Sequence, residues 1–155
     1  MSKSTVLIAY YTRTGNTEKM ARAIARGVEA AGLTARVKEV EACTLDDLRA
    51  AGAIVIGSPT YFSNVAWPVK KLIDESIALY RGHELRGKVA GIFTSSGTAR
   101  DAQDCLRMLE LAWGLHHQMQ VVKPGLVRVD GSPEDQTERE GQAYGEKIAQ
   151  AIKQG

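Results

Sequence analysis

The sequence predicts an α/β fold built on a doubly wound parallel sheet with helices on both faces. Short Val/Ile-rich runs alternate with longer segments of helical period, which is the pattern of repeated βαβ units. The first run, Val6-Leu7-Ile8-Ala9-Tyr10-Tyr11, leads through a six-residue loop straight into an amphipathic stretch beginning at Glu18. The chain's 155 residues, 44% of them hydrophobic, suffice for one full core and are too few for two ordinary ones, so a single domain over residues 1–155 is expected.

The first strand is placed at Thr5 to Tyr10. Met20, Ile24, Val28 and Ala31 then recur at helical spacing, and Gly32 closes that helix. The second strand spans Ala35 to Val40, a short helix Asp46 to Ala51, and the third strand Ala53 to Gly57. Pro68, at a first-turn position, opens a helix that carries Val69, Leu72, Ile73 and Ile77 inward. Leu79 to Gly87 reads as an exposed loop before a fourth strand at Lys88 to Thr94. Leu106, Leu109, Ala112 and Trp113 mark the next helix, and Met119 to Val129 the fifth strand, although Lys123 to Gly131 also carries loop composition. The last helix starts at Ser132-Pro133-Glu134-Asp135, read as a cap, an N1 proline and two first-turn acids, with Tyr144, Ile148, Ala151 and Ile152 on one face.

Twenty basic against 18 acidic residues leave a net charge of +2 with no basic run or arginine-rich arm, so a nucleic-acid partner is not expected. The N-terminal apolar run is too short for a signal core or a membrane span, which points to a cytoplasmic protein without a spanning helix. Cys43 and Cys105 have neither zinc-site nor redox-dithiol spacing; two free thiols and no metal are expected.

The chemistry concentrates in three loops. Thr12-Arg13-Thr14-Gly15-Asn16-Thr17 packs three hydroxyls and a glycine between the first strand and the first helix. Free amides of a first helical turn, the positive end of its dipole, hydroxyl donors and a glycine that admits close approach make a phosphate cradle; an ordinary turn with a Thr N-cap is the plainer alternative. The loop lacks the lysine and spacing of a P-loop and the glycine pattern of a dinucleotide site. In an open parallel sheet, ligands bind outside the carboxyl ends of the strands where strand order reverses, so the segments after the third and fourth strands matter most. Pro59-Thr60-Tyr61-Phe62-Ser63-Asn64 offers an aromatic pair for stacking a flat ring, or for capping the sheet edge; Ser95-Ser96-Gly97-Thr98 offers hydroxyls and N–H groups, or a plain turn. A receiver domain would need aspartates where Tyr10-Tyr11 and Ser58-Pro59 stand, and a low-molecular-weight tyrosine phosphatase a cysteine in the first loop.

Thr12-Arg13-Thr14-Gly15-Asn16-Thr17 resembles the FMN phosphate loop of the flavodoxin-like superfamily, and the resemblance covers nearly the whole chain. It implies a flavodoxin-like three-layer fold with a five-stranded parallel sheet in the order 2-1-3-4-5. Pro59 to Asn64, Phe93 to Thr98 and His116-His117-Gln118-Met119 are most similar to WrbA-type NAD(P)H:quinone oxidoreductases. That resemblance implies FMN as cofactor, its phosphate held by Thr12, Arg13, Thr14, Gly15, Asn16 and Thr17. Pro59, Thr60, Tyr61, Phe62, Ser63 and Asn64 would line one side of the ring, and Ser95, Ser96, Gly97 and Thr98 the other. His117 would be presented to the flavin pocket, in some members across a subunit interface, as the catalytic candidate.

The chain departs from WrbA-type proteins in lacking their late insertion, in carrying Ala99-Arg100-Asp101 where they are glycine-rich, and in placing Ser63 where they have glycine. A serine there flips its peptide less freely than glycine, which favours two-electron over one-electron chemistry. Three functions follow: an oxidoreductase using NAD(P)H and a quinone-type acceptor, a one-electron carrier between protein partners, or a flavin-dependent sensor. The mild positive charge disfavours the carrier, which steers to basic partners by negative charge. A homo-oligomer stays open, with Trp67 as shield, contact or core residue.

Overall fold

The computed structural model describes residues 4–155. Seven strands form one sheet: β1 (Thr5–Tyr10), β2 (Thr34–Glu39), β3 (Ala53–Tyr61), β4 (Asn64–Val65), β5 (Val89–Ser96), β6 (Gln120–Val121) and β7 (Leu126–Val129). Among the described residues six α-helices accompany them: α1 (Asn16–Ala30), α2 (Leu45–Ala50), α3 (Trp67–Glu75), α4 (Ile77–Tyr80), α5 (Ala99–Glu110) and α6 (Glu134–Gln154). The parallel strands run β2-β1-β3-β5, and β6 and β7 share the fifth position, both parallel to β5. This is the expected doubly wound order 2-1-3-4-5, with its fifth strand in two pieces.

Both faces of the sheet are covered, which is why β1 is buried at every residue and reads as a continuous apolar run. Val6, Ile8, Val55 and Phe93 pack on Met20, Ile24 and Val28 of α1 and on Tyr144 and Ile148 of α6. Leu7, Ile54, Ile56 and Ile92 pack on Leu48, Val69, Leu72, Leu106 and Leu109 from the other helices. α2 is short, and a capping box between Thr44 and Asp47 starts it.

Several elements differ from the sequence reading. β3 runs on past Gly57 to Tyr61 and turns into a hairpin with β4, because beyond Tyr10 the strand has lost its β1 neighbour and tolerates Pro59 at an edge. The helix expected to run through Ile77 breaks at Ser76 and restarts as α4. Leu79 and Leu85 are fully buried, so the segment after α4 is anchored to the core rather than an exposed loop. Pro133 stands at the N-cap of α6, and no side-chain cap forms there. Trp67 is exposed over 72% of its surface, which removes it from the core.

The fifth strand breaks because Pro124, behind a cis peptide, has no N–H for the ladder. Tyr144 bridges the gap from α6: its hydroxyl accepts from the Ile92 N–H at 3.0 Å and donates to the Val122 carbonyl at 2.7 Å. Burial pushes its pKa up to about 12, so the donated proton stays in place. Tyr144→Phe leaves both backbone groups buried and unpaired and is expected to cost about 2 kcal/mol in urea unfolding; a loss below about 0.5 kcal/mol would mean that they find other partners.

Candidate functional site

Outside the carboxyl ends of β1, β3 and β5 lies a cleft of about 390 Å³ lined by Arg13, Thr14, Asn16, Thr17, Pro59, Thr60, Tyr61, Ser95, Ser96, Gly97 and Asp130. Ten of those eleven residues belong to the three loops singled out in the sequence, and the fold brings the loops together.

The first loop forms one end. Gly15, not a threonine, occupies the N-cap of α1 at φ +96°, a left-handed conformation that a side chain resists. The Thr12 hydroxyl accepts the Gly15 N–H at 3.0 Å and so holds the turn, with its own O–H still available to donate. No side chain caps α1, which leaves its first-turn N–H groups and the positive end of a 15-residue helix toward the cleft. Thr17 is almost fully buried, and its hydroxyl lies 2.9 Å from that of Ser95 on β5, so these two residues are the floor. Thr14 and Arg13 are exposed at the rim.

The hairpin between β3 and β4 forms a wall. Phe62 (φ +51°) and Ser63 (φ +62°) are both left-handed, as a two-residue turn that matches strand twist requires. Asn and Gly adopt this conformation most readily, so the turn is held by contacts: the Ser63 hydroxyl donates to Asp101 at 3.2 Å, and the Asn64 side chain accepts the Val65 N–H at 2.7 Å. The Ser58 hydroxyl fixes its base by accepting the Ala66 N–H at 2.8 Å. Tyr61 lines the cleft with a buried hydroxyl that makes no hydrogen bond, and Phe62 stands fully exposed at the tip. Opposite, the Ser96 hydroxyl accepts the Thr98 N–H at 3.3 Å, and Thr98 caps α5 by accepting from Asp101 N–H at 3.2 Å.

The structure does not bring His117 to this cleft. α5 ends in a wide π-turn over Leu111–His116, which carries His117 beneath the break between α3 and α4. There it is buried, 5.2 Å from the Trp113 ring and edge-on to Tyr80, and it lines a second cavity of about 500 Å³ with Ser76, Ile77, Tyr80 and Met108. The Ser76 hydroxyl donates to the Ile73 carbonyl at 2.6 Å, which leaves the hydroxyl to accept from His117 Nε2–H across the 2.8 Å contact.

Burial, and secondarily His116, lower the His117 pKa below its usual 6.5. Between the two values the unfolded chain binds the proton and the folded chain does not, so this residue's contribution is full above pH 6.5 and declines as pH falls below it. Wild type is expected to lose more stability than His117→Gln between pH 8 and pH 5 in urea midpoints. Equal losses would remove His117 as a source of acid sensitivity.

Asp130 was missed in the sequence because it follows β7, in a stretch read partly as loop; the Asp130 N–H bonds the Ser96 carbonyl at 2.9 Å and thereby reaches the cleft. Cys43 and Cys105 are free, and burial raises both thiols, Cys43 to about 11. Among the described residues no cluster of His, Cys, Asp or Glu is placed to hold a metal ion, and no helix is long and apolar enough to cross a membrane.

A doubly wound sheet with an anion-type seat and an aromatic hairpin at its switch point is the architecture of flavodoxin-like proteins. Residues 42–134 match the family described as NADPH-dependent FMN reductase, a span that takes in the β3 and β5 loops and leaves out the first. A flavodoxin from Aquifex aeolicus is 41% identical over 93 residues, which are 59% of this chain, and the chain spans half of that relative's length. An NAD(P)H dehydrogenase (quinone) from Solidesulfovibrio magneticus is 32% identical over 142 residues, covering 76% of this chain and 70% of that one. The solved structure of a WrbA-like flavodoxin from Agrobacterium tumefaciens superposes with a TM-score of 0.84 at 27% identity, covering 97% of this chain and 98% of that one. The chain belongs to the NADPH-dependent FMN reductase family, within the flavodoxin-like superfamily.

Proposed function

We propose that the protein is an FMN-dependent oxidoreductase that oxidises NAD(P)H and reduces a quinone-type acceptor. The observation that carries this reading is the single cleft in which an uncapped helix N-terminus meets an aromatic hairpin: one end suits a phosphate, the other a flat ring. Family membership and relatives named as NAD(P)H dehydrogenases of quinones support the choice of donor and acceptor.

The residues present fit FMN. Thr14, Asn16 and the first-turn amides of α1 would hold the phosphate, with Thr17 and Ser95 keeping the floor rigid. Pro59, Thr60 and Tyr61 on one side and Ser95, Ser96 and Gly97 on the other would bracket the ring, and the unpartnered Tyr61 hydroxyl is a donor with no acceptor inside the protein. Phe62, Ser63 and Asn64 at the hairpin tip would cover the ring edge and exclude water. FMN when bound supplies the hydride and electron chemistry. Overall, NAD(P)H, a proton and a quinone become NAD(P)⁺ and a hydroquinone.

The test is an anaerobic titration of FMN-loaded protein with NADPH and NADH, followed in the visible spectrum, with a quinone added last. Complete bleaching without a long-wavelength band, then recovery on quinone, is the expected result. A second reading, electron carriage between protein partners, is favoured by the fully exposed Phe62 at the mouth of the cleft. No bleaching by either nucleotide would replace the first reading with it.

A further inference from the structure

The hairpin that walls the cleft also borders the second cavity of about 500 Å³. Val65 of β4 lines that cavity and pairs with Thr60, which lines the cleft, yet the two sites share no lining residue. Three departures from regular backbone meet at the cavity: α3 breaks at Ser76, α5 winds into the π-turn over Leu111–His116, and Gln118, next to His117, takes φ +57°. Such departures cost free energy and collect at functional sites.

The walls are apolar, formed by Ile73, Ile77, Tyr80, Met108 and Leu111. Lys70 and Asp74 also line the cavity, but they pair with each other at 2.6 Å and so present no net charge to a ligand. Its buried polar residues are Ser76 and His117. The Ser76 proton is spent on the Ile73 carbonyl, and the His117 Nε2–H is spent on Ser76. That leaves His117 Nδ1, which has no hydrogen-bond partner among the described residues and, unlike the N–H of the neighbouring Trp113, is not sealed in the interior. Burial keeps the ring neutral above pH 6.5, so Nδ1 carries a lone pair there and accepts a hydrogen bond.

We infer that this cavity is a second ligand site, separate from the cleft, for an uncharged aromatic alcohol whose ring packs on Tyr80 and Met108 and whose hydroxyl donates to His117 Nδ1. An apolar pocket with one convergent polar group selects a ligand of that kind. A ring suits the edge of Tyr80 and the thioether of Met108. A charged ligand would lose its hydration without meeting an opposite charge, and one without a donor would leave Nδ1 unpaired. The site stands independently of the flavin reading.

The test titrates the full chain, with and without FMN, with 2-naphthol and with 2-methoxynaphthalene, which has the same rings and no donor, by calorimetry. 2-Naphthol is expected to bind one site in the micromolar range, equally in both forms, and 2-methoxynaphthalene about five- to tenfold more weakly. His117→Phe keeps a flat ring and removes the acceptor, so it should weaken 2-naphthol by about that factor and leave 2-methoxynaphthalene within about twofold. Met108 is exposed, so Met108→Trp plugs the cavity without disturbing the core and should abolish binding of both probes; should His117→Phe not fold, this variant and the two probes carry the decision. Absence of saturable binding, equal affinity for the two probes, loss of binding on FMN loading, or binding that survives Met108→Trp would overturn the assignment. A dimer that Met108→Trp dissociates, with no 2-naphthol bound, would show that a second copy covers this face instead.

Discussion

Replacing Gly27 by alanine is expected to cost about 3 kcal/mol and to lower the thermal midpoint by roughly 6 to 12 °C, although the same change on an exposed helix face normally stabilises by about 1 kcal/mol. A β-carbon on Gly27 would sit 2.1 Å from the Gln142 carbonyl oxygen of α6, and one on Gly145 would sit 2.2 Å from the Ile24 carbonyl oxygen of α1. The two helices therefore touch backbone to backbone. Neither can retreat, because Met20, Ile24 and Val28 hold α1 to the sheet while Tyr144 and Ile148 hold α6. Arg26 with Glu138, and Lys19 with Glu134, tie their outer sides. The first turn of α1 is the proposed phosphate seat, so the same substitution should also loosen FMN. An unchanged or higher midpoint would show that the helices can slide apart freely.

Thr14→Val is expected to weaken FMN about tenfold or more, roughly 1.5 to 3 kcal/mol, while riboflavin affinity stays within about twofold. Thr14 is the cleaner probe of the phosphate end. It is exposed at the cleft rim, whereas the Thr17 hydroxyl is engaged with Ser95, so Thr17→Val would also break a buried contact between α1 and β5. That change should weaken both flavins and lower stability together. If Thr14→Val affected FMN and riboflavin equally, the hydroxyl would be acting on loop shape rather than on a phosphate.

That three loops meet in one cleft was legible in the sequence, for a physical reason. An anion held without a lysine demands amides, hydroxyls and glycine at a strand-to-helix junction, and Thr12 to Thr17 shows that demand locally. Strand-end position made Pro59 to Tyr61 and Ser95 to Gly97 the other candidates, and the cleft contains them. The division of labour within the first loop was not legible. Thr12 and Thr17 look like Thr14 in sequence, yet one accepts the Gly15 N–H and another meets a serine 78 residues away. The hairpin was hidden by Pro59, which reads as a strand breaker until the missing neighbour strand is seen.

By itself the sequence determined what depends on neighbours along the chain: the period of each strand and helix, the glycine and hydroxyls of the anion loop, and the single sheet that these elements compel. Tertiary structure alone decided what depends on register and on where a helix ends. The turn after β7 delivered Asp130 to the cleft, where its N–H bonds the Ser96 carbonyl. One π-turn after α5 sent His117 to a different cavity. Each of these turns on a step of one residue in strand pairing or helical winding, which moves a side chain to another face while leaving the local pattern unchanged.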